Sequence, residues 1–244
     1  MQYGQASFWE GRYRALNPNS GLFDWYCAYL ITPKPSKERS LREELLSILL
    51  PSTSTAKSEP SDSPEARRKR SILVVGCGIS SLGESLALDG FTNVCCVDRS
   101  PSCISFMRAR NAEQSTSASV QYEVADVEQL SSELGNRTFD VIIDKAMLDA
   151  IQSGGLGPFA RAVGELYASL AEGGTLITVS VTDKTSGIRS ALFGNPLLRW
   201  EQIQMCELVP PGTSAAELDG MTAAAMKRLQ RPYYIATLSK AKIA

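Results

Sequence analysis

Three aspartates, Asp98, Asp126 and Asp144, each follow directly on a run of mostly apolar residues. Such runs, rich in β-branched residues, predict buried strands. In an open parallel sheet, ligands bind outside the carboxyl ends of the strands. A carboxylate at such an end can accept hydrogen bonds from ribose hydroxyls. Asp98 is therefore a candidate for binding a nucleoside.

A glycine turn precedes Asp98. The apolar run Ile72 to Val75 ends at Gly76-Cys77-Gly78, and Asp98 follows 22 positions after Gly76. A dinucleotide fingerprint needs a third glycine where this chain has Ser81. The pattern therefore favours a ligand with an adenosine, no pyrophosphate and a small carboxylate, and S-adenosylmethionine is such a ligand. The alternative is a tight turn followed by an acid that binds no ligand.

The residues after the glycine turn predict a helix. Ser81 and Glu84 have the S-x-x-E spacing of a capping box, which would begin this helix. Leu82, Leu86 and Leu88 would then face the interior. Together with the apolar runs on either side, the helix completes a βαβ unit.

The rest of the chain continues to alternate between predicted helices and strands. Gly173-Gly174 is expected to turn the chain into one of the strands. Alternating strands and helices predict a parallel, doubly wound sheet. The predicted helices are 100–111, one around 147–151, 158–170 and 215–229, and the predicted strands are 120–125, 139–143, 175–181, 198–208 and 233–238.

The first 50 residues contain no predicted strand. Ala6 to Leu16 predicts an amphipathic helix with Trp9 and Tyr13 on one face. Residues 22–31 are rich in aromatic residues, and Lys37 to Leu50 has a further helical pattern. Aromatic residues at helical spacing are more often core than cofactor contacts, so the residues alone favour a packed helical segment.

Residues 51–65 are rich in Ser, Thr and Pro and have no apolar periodicity, which predicts a mobile surface loop. The basic run 67–70 could be a nuclear-targeting signal or an acid-binding patch. Its position next to a core strand favours a third interpretation, in which these residues are a solvent-exposed segment that leads into that strand. We expect a single domain over 1–244, with a helical cap (1–50), a flexible insertion (51–70) and a catalytic sheet (71–244).

Composition excludes several classes of function. The net charge of −1 provides no general attraction for nucleic acid or an anionic membrane. The absence of histidine removes Ser-His and Cys-His nucleophiles and imidazole metal sites, so we expect no metal. The six cysteines form no C-x-x-C pair and predict reduced thiols. Without an apolar run of membrane-spanning length or a signal peptide, we expect a soluble, cytoplasmic protein.

Several motifs together resemble the class I, seven-stranded S-adenosylmethionine-dependent methyltransferases over nearly the whole chain. More narrowly, the chain resembles the group that contains lysine methyltransferases of translation elongation factor 1-alpha. The resemblance implies an α/β fold with a doubly wound, Rossmann-like, seven-stranded, mostly parallel sheet, helices on both faces and an N-terminal helical lid. The motifs are FWEGRY (8–13), FDWY (23–26), ILVVGCGISSLGESL (72–86), VCCVDRS (94–100), YEVADV (122–127), FDVIIDKAMLDAI (139–151) and EGGTLI (172–177).

The resemblance also implies which residues bind the cofactor, S-adenosyl-L-methionine. Trp9, Tyr13 and Trp25 would close over it, which replaces their interpretation as core residues. The other implied contacts are Gly76 and Gly78 at the methionine end, Asp98 at both ribose hydroxyls, Arg99 beside the adenine, Asp126 and Val127 at the adenine edge, and Lys145 near the substrate entrance.

The implied reaction is methyl transfer to a lysine amine of a protein substrate of the elongation factor 1-alpha type. Lys145, Asp144 and Asp149 are the candidate catalytic residues, and the two aspartates would orient the acceptor ammonium before it loses a proton. Alternatively, Asp144 is a charge at a helix N-terminus and Asp149 a surface acid.

Two other functions stay open, which are methylation of a small molecule and a cofactor-binding interaction module without activity. The segment DKAM lacks the N/D-P-P-Y/F arrangement that serves nucleic-acid amines in related families. We therefore expect no nucleic-acid substrate and no membrane partner.

Overall fold

The computed structural model describes residues 2–27, 29, 40–50, 63–113, 120–182, 195, 197–208 and 233–242. Its helices are α1 (Ala6–Arg14), α2 (Leu41–Leu49), α3 (Pro64–Lys69), α4 (Leu82–Leu88), α5 (Pro101–Glu113), α6 (Leu130–Glu133), α7 (Met147–Gln152) and α8 (Leu156–Ala168). Its strands are β1 (Ser71–Val75), β2 (Asn93–Asp98), β3 (Gln121–Val124), β4 (Phe139–Lys145), β5 (Leu170–Ser180), β6 (Trp200–Leu208) and β7 (Tyr233–Lys240). The helix predicted at 215–229 lies outside the described residues.

The strands form one sheet in the order β3-β2-β1-β4-β5-β7-β6. Strands β1 to β5 pair in parallel, whereas β7 runs antiparallel to both β5 and β6. The order reverses between β1 and β4, and open sheets of this kind bind ligands beside such a switch point. The predicted α/β class, with a mostly parallel, doubly wound sheet, is confirmed.

Two apolar layers cover the two faces of the sheet. Alternate strand residues point to opposite faces. Ile72 and Cys96 pack with α2, α4 and α5 on one face, whereas Leu73 and Cys95 pack with α6, α7 and α8 on the other. The two neighbouring cysteines therefore lie on opposite faces of the sheet. Both faces are buried because the helices that follow β1 and β2 cover one face and the helices that follow β3 and β4 cover the other.

The capping box predicted at the start of α4 is wrong. Ser81 makes no side-chain cap, and its hydroxyl donates instead to Asp24 Oδ2 at 2.9 Å. The Glu84 side chain accepts from Arg110 Nε at 3.2 Å. Asp24, a distant carboxylate, therefore accepts from the Ser81 N–H that Glu84 would accept in a capping box.

The prediction that Leu88 faces the interior is also wrong. Leu82 and Leu86 are buried as predicted, but Leu88 is 66% exposed. Residues two apart in a helix point roughly 200° from one another. Leu88 therefore faces away from the side on which Leu86 is buried.

The N-terminal segment is only partly helical. Helix α1 confirms the prediction for 6–16, but residues 21–27 form an irregular strap. The backbone of Tyr26 there has a φ of 66°, in the left-handed region. The strap follows long-range contacts rather than a helical repeat, since the Phe23 N–H donates to the Ile79 carbonyl at 3.0 Å. The helical interpretation of 22–31 is therefore wrong for the described part.

Two helices revise the boundaries predicted around the insertion. Helix α2 begins after Ser40, which forms a capping box with Glu43. Helix α3 occupies the end of the segment 51–70, so that segment is not a loop throughout; residues 51–62 lie outside the described residues. Arg67 on α3 donates to the Asp89 carbonyl at 2.6 Å, so the basic run is a partly anchored helix rather than a solvated approach to β1.

Strand β5 begins earlier than its sequence pattern predicts. It includes Gly173-Gly174, and its pairing with β4 shifts register between Phe139 and Val141. The glycines thus lie in an irregularity within the strand rather than in a turn before it. None of the helices in the described part of the chain is long and apolar enough to cross a membrane.

Candidate functional site

The glycine turn lies at the carboxyl end of β1 and needs glycine at two positions. Gly76 and Gly78 have φ values of 55° and 51°, which side chains rarely tolerate. A Cβ on Gly76 would lie 2.3 Å from Met147 Cγ, and one on Gly78 would lie 2.8 Å from the Tyr13 hydroxyl. The turn is therefore pressed closely between α7 and the N-terminal helix α1.

Asp98 ends β2 beside this turn, as predicted. Its Oδ2 accepts from the Gly78 N–H and its Oδ1 from the Ser100 N–H, both at 3.0 Å. Burial raises the pKa of Asp98, and the two backbone hydrogen bonds oppose that rise. Each oxygen keeps a further lone pair. The backbone thus fixes the plane of a carboxylate that can still accept two hydroxyls.

The predicted adenine-side residues lie next to Asp98 in the sheet. Strand β3 pairs with β2 so that Val124 lies opposite Asp98. Arg99 forms an ion pair with Asp126, with 2.9 Å between Nη2 and Oδ2. Asp126 Oδ1 also accepts from the Glu128 N–H at 3.1 Å, and Val127 is buried. The structure therefore brings Asp98, Arg99, Asp126 and Val127 to one edge.

The N-terminal aromatic cluster consists of Trp9, Tyr13, Phe23 and Trp25. Trp9 stacks on Tyr13 with ring centroids 6.0 Å apart and meets Trp25 edge-on at 6.3 Å. Phe23 in turn meets Trp25 at 5.2 Å. Tyr13 is buried against the glycine turn, whereas both tryptophans are only half-buried. The structure brings together the three aromatic residues that the resemblance assigns to the cofactor.

Glu10 on α1, which the sequence analysis missed, fastens that helix to the start of α5. Its carboxylate accepts from the hydroxyls of Ser100 and Ser102, each at 2.6 Å, and from the Ser102 N–H at 3.3 Å. The Ser100 and Ser102 hydrogen bonds lower the pKa of Glu10 to about 2. The one signal for Glu10 in the sequence is its position within FWEGRY, between Trp9 and Tyr13.

A buried ion pair joins the strap to the end of β4. Asp24 pairs with Lys145 Nζ, which also donates to the Cys27 carbonyl at 3.0 Å. Asp24 further accepts from the Ser80 hydroxyl, and from the Ser81 hydroxyl at 2.9 Å and N–H at 3.3 Å. Burial opposes ionisation, but the Lys145 charge and these hydrogen bonds hold the pKa of Asp24 below its ordinary value. The sequence analysis did not single out Asp24.

The two candidate catalytic aspartates have different surroundings. Asp144 is buried, and its Oδ1 accepts from the backbone N–H groups of Met147 and Leu148 at 2.9 and 3.1 Å. This arrangement caps α7. It therefore agrees with the alternative interpretation of Asp144 as a charge at a helix N-terminus.

Asp149 lies on α7, at the carboxyl edge of the sheet, and is not a simple surface acid. It accepts from the Tyr26 hydroxyl at 2.8 Å, the Ser180 hydroxyl at 2.7 Å and the Thr182 hydroxyl at 3.2 Å. In the part of the chain that the structure describes, no Lys or Arg forms an ion pair with it. These three partners of Asp149 are thus neutral hydroxyls that can rotate.

Comparison with known proteins finds a methyltransferase domain within the chain. A profile described as a methyltransferase domain matches residues 72–174. EEF1A lysine methyltransferase 4 of Mus musculus is 33% identical over 159 residues, which are 65% of this chain and 50% of that protein. Its Bos taurus counterpart is 40% identical over 96 residues, or 39% of this chain and 36% of that protein. The chain thus spans half or less of the length of these relatives.

Solved structures support the fold. A protein studied for the conversion of a disulfide bond into a thioacetal group during echinomycin biosynthesis has a TM-score of 0.61 and 15% identity, covering 98% of this chain and 94% of its own. A SAM-dependent methyltransferase from Methanosarcina mazei has a TM-score of 0.52 and 14% identity, covering 72% and 94%. With the glycine turn, the acid after β2 and the matching profile, these likenesses confirm the resemblance seen in the sequence. Residues 72–174 thus match a methyltransferase domain, and the fold is the one that S-adenosylmethionine-dependent methyltransferases have.

Proposed function

We propose that this protein transfers the methyl group of S-adenosyl-L-methionine to a lysine amine of a protein, and that its substrate is of the translation elongation factor 1-alpha type. The observation that carries the proposal is the meeting of the aromatic cluster, the glycine turn and Asp98 at one edge of the sheet. The likeness to EEF1A lysine methyltransferase 4 supports the acceptor.

The residues at this edge fit the cofactor in chemistry. The glycine turn, which depends on positive φ values at Gly76 and Gly78, lies directly beside the carboxylate of Asp98. The oriented carboxylate of Asp98 matches a ribose diol, and Arg99, Asp126 and Val127 line the side where an adenine would lie. The half-buried rings of Trp9 and Trp25 offer faces that attract a sulfonium cation.

The chain's own residues have to bind the cofactor, orient it towards the acceptor amine and exclude water. S-adenosylmethionine, when bound, supplies an activated methyl group, which an amine attacks in line. The aromatic cluster would cover the reacting atoms and keep water out. Lys145 is engaged with Asp24 and the Cys27 carbonyl, so we assign it to cofactor binding rather than to proton removal.

A lysine acceptor has to lose a proton before it attacks, since its free pKa is about 10.4. Burial among aromatic rings would lower the pKa of that amine, because it disfavours the charged form. We assign the orientation of the ammonium to Asp149, whose hydroxyl partners can rotate to admit a cation. Asp144 instead holds the start of α7. A substrate of this class would place the protein in the cytoplasm.

The test is a methyl-transfer assay with labelled S-adenosylmethionine on a cell extract and on purified elongation factor 1-alpha. The proposal predicts label on a lysine of that factor, and no label with an Asp98→Asn variant that keeps the wild-type melting temperature. Label only in small molecules would overturn the proposed acceptor. No label anywhere, with intact cofactor binding, would identify an inactive binding module instead.

A further inference from the structure

We propose that Glu10 is a positioning residue that lets this protein distinguish S-adenosylmethionine from its demethylated product. Glu10 would not touch the ligand. It would hold helix α1 against the start of α5, so that the indole ring of Trp9 lies at the sulfonium. The inference rests on the cofactor contact of Trp9 in the proposed function and deepens it, because it names the residue that fixes where that contact lies.

Glu10 joins α1 to α5 through two serines. Its Oε2 accepts from the Ser100 hydroxyl and its Oε1 from the Ser102 hydroxyl, each at 2.6 Å, and the Ser102 N–H adds a contact to Oε2 at 3.3 Å. Arg14 also contacts Glu10, at 3.4 Å, but it is exposed and lies on α1 itself. Hydrogen bonds to an ionised carboxylate are stronger than those between neutral groups. The serine contacts therefore fix α1 in place along α5.

Ser100 connects Glu10 to the carboxylate that would bind the ribose. It donates its backbone N–H to Asp98 Oδ1 at 3.0 Å and its hydroxyl to Glu10. The same hydroxyl accepts from the Cys103 N–H at 3.2 Å, which holds Ser100 at the start of α5. Asp98 and α1 are thus both fastened to one residue. A nucleoside held by Asp98 would therefore meet α1 in a set position.

Trp9 directly precedes Glu10 on α1, so the ring moves with the carboxylate. The Trp9 indole N–H donates to the Tyr3 carbonyl at 2.7 Å, and its ring stacks on Tyr13 and meets Trp25 edge-on. These contacts orient the indole within the N-terminal segment. The hydrogen bonds of Glu10 join that segment to α5, and hence to the ribose-binding edge.

An indole ring in a set position would favour the charged cofactor over the neutral product. S-adenosylmethionine carries a sulfonium cation, whereas S-adenosylhomocysteine carries an uncharged sulfide. An aromatic face attracts a cation within about 6 Å of the ring centroid, which is worth about 2- to 30-fold in affinity. A residue that only positions the ring can contribute no more than the ring itself. Loss of Glu10 should therefore cost no more than this, and only for S-adenosylmethionine.

Calorimetry with both ligands tests Glu10→Gln, which keeps the size of the side chain and removes its charge. We expect S-adenosylmethionine to bind about 2- to 30-fold more weakly and S-adenosylhomocysteine to bind as it does to the wild type. Added to Trp9→Ala, Glu10→Gln should cause no further loss of S-adenosylmethionine affinity, because the ring that it positions is gone. Equal weakening of both ligands, no weakening of either, or the same loss in the Trp9→Ala background would overturn the inference.

Glu165→Gln is a matched control on the other face of the sheet. Glu165 on α8 accepts from the Ser131 hydroxyl at 2.6 Å and from the Ser131 N–H at 2.7 Å, so it joins α8 to α6 by the same kind of contact. We expect it to lower the melting temperature without changing the ratio of the two affinities. A change in that ratio as large as the change in Glu10→Gln would show a general effect of losing a carboxylate that joins two helices, and would overturn the inference.

Ser102→Ala covers the case in which Glu10→Gln does not fold. It removes one hydroxyl that Glu10 accepts from and leaves Ser100 and Asp98 unchanged. Weaker binding of S-adenosylmethionine alone would support the inference, whereas equal effects on both ligands would overturn it. If these affinities behave as expected but the wild-type chain methylates no protein, the proposed acceptor is refuted and this inference stands. Methylation of the proposed acceptor, with an unchanged affinity ratio in the variants, would have the opposite meaning.

Discussion

Replacing Gly78 by alanine tests whether the aromatic cluster and the glycine turn work as one unit. The position has a φ of 51°, and an added Cβ would lie 2.8 Å from the Tyr13 hydroxyl. The left-handed backbone costs alanine about 1–2 kcal/mol. Tyr13 is buried and stacked on Trp9, so moving it adds an overpacking cost of about 1–3 kcal/mol. We expect a total destabilisation of about 2–5 kcal/mol.

Gly135→Ala is the matched control for backbone strain alone. Gly135 has a φ of 62°, but a Cβ there meets nothing within 4 Å. The Gly135→Ala variant should lose only about 1–2 kcal/mol of the free energy of unfolding. The double variant Tyr13→Phe/Gly78→Ala lacks the clashing hydroxyl, so its loss of unfolding free energy should be as small as that of Gly135→Ala. Urea unfolding measures each free energy.

Cofactor affinity completes this test. If displaced Tyr13 carries Trp9 away from the ligand, Gly78→Ala should weaken S-adenosylmethionine binding by about 2- to 30-fold, the value of one desolvated cation–π contact. Gly135→Ala should bind normally in calorimetry. Equal losses of stability in the two variants, with normal affinity in both, would refute the close approach of Tyr13 to the turn.

Three further predictions concern other parts of the site. Asp98→Asn should lower S-adenosylmethionine affinity by about 10- to 150-fold in calorimetry, because the charge that accepts the ribose hydroxyls is lost; unchanged affinity would assign Asp98 to the turn alone. The pKa of Glu10 falls from 4.5 to about 2 on folding, so its stabilisation is present above pH 4.5 and is lost as the pH falls towards 2. Glu10→Gln should therefore make the free energy of unfolding less dependent on pH in this range. The same pH dependence in the variant and the wild type would contradict the Ser100 and Ser102 hydrogen bonds. Trp9→Ala and Trp25→Ala should each weaken cofactor binding while shifting the melting temperature of the free protein little; unfolding of both with normal binding by the folded fraction would make these rings core residues.

Local patterns predicted much of the sheet and its ligand-binding edge. Apolar runs and the glycine turn predicted β1 and β2, and the acid after β2 lies where the pattern placed it. The helix predicted from residue 100 is α5, and Ser100 caps it by accepting from the Cys103 N–H at 3.2 Å. These features depend on residues close together in the chain, which is why the sequence is sufficient to predict them.

The strap and its contacts could not be predicted in the same way. Asp24 and Lys145 are 121 positions apart, and Tyr26 reaches Asp149 across 123. These partners meet only once the sheet has formed. Asp24 also prevents the capping box that the local spacing of Ser81 and Glu84 indicates. It accepts from the Ser81 N–H, which is the group that Glu84 would accept in a capping box.

The most direct test of the proposed activity is mass spectrometry of purified elongation factor 1-alpha after incubation with this protein and S-adenosylmethionine. The proposal predicts a mass increase of one or more methyl groups on a lysine side chain. It also predicts no increase with Asp98→Asn and an increase with the control Gly135→Ala. An unmodified factor after incubation with a wild-type protein that binds the cofactor would contradict the proposed function.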